Sequence, residues 1–106
     1  MDEREFEALA GATLERIERA LEESGLDADV EMKEGGILEL EFDDGSRIIV
    51  NRHGAAREIW VAARSGGFHF RWDGSAWRDT RAGTELFAAL SKLVSAQSGS
   101  GVILSP

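Results

Sequence analysis

A chain of 106 residues can build one hydrophobic core but not two, so a single domain over 1–106 is expected. With no cysteine, it has no disulfide framework, thiolate metal site or cysteine nucleophile. The formal net charge is −8, and residues 1–34, with twelve carboxylates against four basic side chains, carry all of that excess. Such a field repels nucleic acid and anionic lipid and attracts cations or a basic partner.

No apolar run is long enough to span a membrane, and the acidic start MDEREFEALAG lacks the order of a signal peptide. A soluble cytoplasmic protein is therefore expected. Residues 3–24 read as an amphipathic helix, with Phe6, Leu9, Ala10, Thr13, Leu14, Ile17, Ala20 and Leu21 at helical spacing. Asp2 is the expected N-cap and Ser24-Gly25 the stop. Glu15, Glu18 and Glu22 fall on the side opposite the apolar stripe, flanked by Glu23 and Arg16.

Residues 26–34 alternate Asp27, Asp29 and Glu31 with Ala28, Val30 and Met32, which predicts a first or edge strand with one acidic face. The stretch from Gly35 to Trp60 carries the strongest local signal. Leu38, Leu40 and Phe42 alternate with Glu39, Glu41 and Asp43, the chain turns at Asp44-Gly45, and Ile48 and Val50 alternate with Arg47, Ile49 and Asn51. Period-two patterning about an Asp-Gly dipeptide predicts an antiparallel hairpin.

Gly54-Ala55-Ala56 is the loop before a third such strand, Ile59-Trp60-Val61. Phe68, Phe70 and Trp72 then alternate with His69, Arg71 and Asp73, and a short strand at 76–78 follows the Asp73-Gly74 turn. A second helix, capped by Thr80 or Thr84, carries Leu86, Phe87, Leu90, Leu93 and Val94, and residues 97–101 form a flexible break. Val102-Ile103-Leu104 is expected to pack against the helices. A helix, five or six strands and a helix imply an α+β, two-layer α-β sandwich with both helices on one face of an antiparallel sheet. The other face is open and carries Asn51, Trp60, His69 and Arg71.

In combination, GGILELEFDDGSRIIVNRH, EIWVA and SGGFHFRWDG resemble the bacterial frataxin family from Phe6 to about Leu104. The resemblance implies a monomeric α-β sandwich, with oligomers that form with iron left open. It also implies an iron-binding role in iron–sulfur cluster assembly, as a regulator or iron-handling partner of the cysteine desulfurase and its scaffold protein. The family's metal-binding acidic ridge corresponds here to Glu15, Glu18, Glu22, Glu23, Asp27, Asp29 and Glu31. Its partner-docking sheet surface corresponds to Asn51, His53, Trp60 and His69. Where His53 and Glu58 stand, the family usually has Gln, and it usually has a Pro in the Gly54–Ala56 loop.

Carboxylates suit hard cations such as Fe(II) or Fe(III), although a charged helix face is ordinarily just solvated surface. This ridge has no histidine at ligand spacing and no closed cage. It predicts weak, reversible binding in competition with Mg²⁺, Ca²⁺ and Mn²⁺. The strand alternation turns Trp60 outward, where a large aromatic marks a contact site more often than a half-buried sheet residue. Trp72 and Trp77 are expected in the core or at its edge. A lone surface histidine is most often neither catalyst nor ligand, and nothing more specific is read from His53 or His69.

No nucleophile motif or phosphate loop is present, and a convex ridge is no cleft for acid–base work. A non-enzyme is therefore expected. Two other readings stay open: a docking module that needs no metal, and a ferroxidase or iron-storage protein. The second lacks the Glu-x-x-His arrangement of a buried di-iron site.

Overall fold

Asp2 begins the first helix, α1 (Glu3–Glu23), where its carboxylate accepts the Glu5 N–H at 2.8 Å. The computed structural model describes residues 1–106. Phe6, Ala10, Thr13, Leu14, Ile17 and Leu21 are buried along one stripe of α1, as their spacing predicts. Ser24 caps the end, and Gly25 turns the chain at φ +73°.

Six strands follow: β1 (Asp29–Lys33), β2 (Ile37–Glu41), β3 (Arg47–His53), β4 (Glu58–Ala63), β5 (Gly66–Trp72) and β6 (Trp77–Asp79). They pair in sequence order, all antiparallel, as a six-stranded meander. The register places Leu40 opposite Ile48 and Val50 opposite Val61, so the apolar alternation of neighbouring strands falls on one face. That face and the two helices enclose a core of 20 buried residues. Each fully buried Leu, Ile or Phe contributes about 1.5–3 kcal/mol through removal of apolar surface from water. Trp77 packs edge-on against both Phe6 and Trp72, while Trp72 stays half-buried at the core's margin.

The last helix, α2 (Leu86–Ser98), is capped by neither threonine. Glu85 takes the cap position, where its carboxylate accepts the Phe87 and Ala88 N–H groups at 2.8 and 3.0 Å. Thr80 instead donates its N–H to the His69 carbonyl, and the Thr84 carbonyl accepts from Asp79. The break expected from residue 97 begins later. Gln97 is buried, accepting the Arg64 N–H and donating to Ser46 Oγ and the Arg47 carbonyl, and Gly99 ends the helix at φ +73°. Beyond it, Val102 and Leu104 are buried as expected while Ile103 faces solvent, and the Ser95 and Ser91 hydroxyls accept their N–H groups.

Candidate functional site

The acidic candidates are spread over three places, and the aromatic ones share a second surface. On α1, Glu15, Glu22 and Glu23 are exposed, and Glu18 is half-buried. Glu15 and Glu18 border a groove of about 290 Å³ with Gly11, Met32, Lys33 and Arg52. Asp27, in the loop before β1, is exposed and lines a separate hollow with Asp43, Asp44 and Arg64.

Asp29 and Glu31 alternate with Val30 and Met32, so they lie on the open sheet face, opposite the helices. There the register sets Asp29 against Glu41 and Glu31 against Glu39, two like-charged cross-strand pairs around a shallow hollow. Like charges directly opposite one another destabilise a sheet. Lys33 at 2.9 Å from Glu39, with Arg47 near both Glu39 and Glu41, offsets that repulsion on the β2 side only. None of Glu15, Glu18, Glu22, Glu23, Asp27, Asp29 and Glu31 takes part in an ion pair. No three His, Asp or Glu side chains converge as a metal-ligand group.

The second surface is the open face of β3–β5. Asn51, Trp60 and His69 stand in one cross-strand row, and His53 pairs with Glu58 beside it. Trp60 is less exposed than expected because imidazoles cover it from both neighbouring strands. His53 stacks at 3.8 Å and 13°, and His69 at 4.5 Å and 10°. His53 Nδ1 accepts the Ala56 N–H at 3.2 Å, so the neutral ring carries its proton on Nε2.

Sequence reading missed Glu58. It points to the same open face yet is only 5 % exposed, enclosed by Trp60, His69 and Arg71. Its carboxylate accepts Trp60 Nε1–H at 2.9 Å and Arg71 Nη2–H at 2.5 Å, and His69 Nδ1 lies 3.6 Å away. Burial acts to raise the Glu58 pKa, but the bonds from Trp60 and Arg71 outweigh it and hold the carboxyl below the ordinary range. The available signal was the spacing of Glu58, Trp60 and Arg71. A carboxylate two residues from an outward tryptophan on a strand shares its face.

Helix-backed meander, acidic first third and aromatic open face together define a family. The frataxin-like domain profile matches residues 1–100, and the chain belongs to that family. It is 59 % identical over 104 residues to the iron-sulfur cluster assembly protein CyaY of Dechloromonas aromatica, covering 98 % of this chain and 99 % of the relative. The solved frataxin of Psychromonas ingrahamii is 32 % identical and superposes with a TM-score of 0.91, with both chains covered over 100 % of their length. The trimeric frataxin of the yeast Saccharomyces cerevisiae, solved in complex with ferrous iron, is 24 % identical with a TM-score of 0.66 over 93 % of this chain and 88 % of that one, a likeness of fold alone. No helix is long and apolar enough to cross a membrane.

Proposed function

We propose that this chain acts in iron–sulfur cluster assembly as a non-enzymatic, cytoplasmic, monomeric protein. In this reading it binds Fe(II) or Fe(III) weakly and reversibly through its first third and docks on the cysteine desulfurase and its scaffold protein. The near full-length similarity to a relative named for that process supports the assembly role. The observation that carries the iron role is the set of unpaired carboxylates from Glu15 to Glu31, which leaves a hard cation its preferred oxygen ligands without breaking an ion pair. Because no three donors converge, each iron keeps much of its water, and affinity stays low.

The same carboxylates suit a basic patch on the desulfurase, so iron and partner compete for them. Affinity for the desulfurase, measured anaerobically with and without excess Fe(II), tests this; the reading expects weaker binding with iron, and unchanged affinity contradicts it. The absence of a converged ligand group also favours a second reading, a docking module that needs no metal. In that case Fe(II) leaves the ridge untouched while the partner still binds.

A further inference from the structure

We infer that Glu58 is a positioning residue that holds Trp60 upright between His53 and His69 for partner docking. The inference rests on the docking role proposed above for the open face. Neighbouring strands lie about 4.8 Å apart. The rings from β3, β4 and β5 are nearly parallel, with centroids 3.8 and 4.5 Å apart, His69 directly across from Trp60 and His53 on the diagonal, opposite Glu58. In that arrangement the rings stand off the sheet. Both faces of the indole are covered, and a partner meets ring edges, the positive end of the aromatic quadrupole.

Stacking alone does not fix the indole, which could slide or turn over between the imidazoles. Glu58 removes that freedom, since its Oε1 takes the Trp60 Nε1–H at 2.9 Å from two residues away on the same strand. The carboxylate is itself held. Arg71 binds Oε2 from β5, His69 Nδ1 lies 3.6 Å from Oε1, and its side chain is 7 % exposed against 66 % for Arg71. A buried carboxylate on an otherwise open sheet face, spending both oxygens on one indole and one guanidinium, is built to orient that indole. Its ordering of one large side chain before docking is worth about two- to tenfold in affinity.

The test combines NMR of the free chain with a double-mutant cycle on the partner. In Glu58→Ala, nuclear Overhauser contacts between the Trp60 indole and the His53 and His69 rings are expected to vanish, and the Nε1 proton to exchange faster with solvent. Glu58→Gln, whose amide oxygen still accepts from the indole, is expected to keep those contacts. Glu58→Ala is expected to weaken binding to the desulfurase–scaffold complex by about two- to tenfold in the native background and not at all in a Trp60→Ala background. Intact ring contacts in Glu58→Ala, or an equal loss of affinity in both backgrounds, overturns the inference. If the unmodified chain fails to bind the complex, the docking proposal falls, and the ring contacts alone decide whether Glu58 orients Trp60.

Discussion

Thr13 Oγ1 accepts the Trp77 Nε1–H at 3.0 Å, a bond within the core that ties the first helix to the last strand across 64 positions. The same hydroxyl donates to the Leu9 carbonyl at 2.8 Å, which leaves its lone pairs to accept from the indole and, at 3.3 Å, from Arg16 Nη2. Thr13→Val keeps the shape but leaves a buried N–H without an acceptor, at a cost of about 1–3 kcal/mol. A thermal unfolding midpoint lower by roughly 5–15 °C is expected, and an unchanged midpoint contradicts this role.

Gly35 and Gly36 adjoin and both have positive φ, +85° and +73°, but their surroundings differ. A Cβ at Gly36 would clash with the Arg52 side chain at Nε, whereas one at Gly35 meets nothing within 4 Å. Arg52 cannot easily retreat, because Nε is 3.0 Å from the Glu7 carboxylate on α1. Gly35→Ala should therefore cost only the backbone strain, about 1–2 kcal/mol. Gly36→Ala adds the loss of the Arg52–Glu7 pair, and urea unfolding should rank it clearly below Gly35→Ala. Equal midpoints would show that Arg52 is free to move.

The Glu58 carboxyl, held below its usual pKa of 4.5, contributes stability that is fully present above about pH 4.5 and is lost as pH falls through the lowered value. Glu58→Gln should lower stability at pH 7 by roughly 1–3 kcal/mol and flatten the acid limb of the stability profile. An unchanged acid limb would mean that its bonds to Trp60 and Arg71 contribute little.

Glu15, Glu18 and Glu22, three and four residues apart along α1, repel one another, and none of them is in an ion pair. Glu18→Gln should stabilise the fold by about 0.2–1 kcal/mol at low salt, and the gain should shrink as ionic strength rises. Loss of stability on that substitution would mean that Glu18 makes a favourable contact, with Lys33 or Arg52 across the groove the nearest candidates.

The sheet was legible because its register is written in alternation. Leu38, Leu40, Ile48 and Val50 reach the core only if the Asp44-Gly45 turn pairs them as observed, and a one-residue slip would expose all four. The helix cap at Glu85 and the burial of Gln97 were not legible. Gln97 depends on partners brought up by the tertiary fold, 33 to 51 residues away. The Glu85 cap is local, to N–H groups two and three residues on, and was masked by the two threonines, which are the commoner cap residues. The open-face row was legible for the same reason as the sheet, but the three-ring stack and the enclosed Glu58 needed the register across β3, β4 and β5. Helical spacing gives the angle of Glu15, Glu18 and Glu22 about α1, yet not their distance from β1. Asp29 and Glu31 face away from the helical layer because Val30 and Met32 between them pack against the core.

Anaerobic titration of the protein with Fe(II), followed by backbone amide NMR and repeated on Glu18→Gln/Glu22→Gln, tests the iron-binding claim most directly. The account predicts broadening confined to residues from about Glu15 to Glu31, reversed by chelator and reduced in the double variant. Broadening spread over the whole chain, centred on His53 and His69, or unaltered in the variant would contradict it.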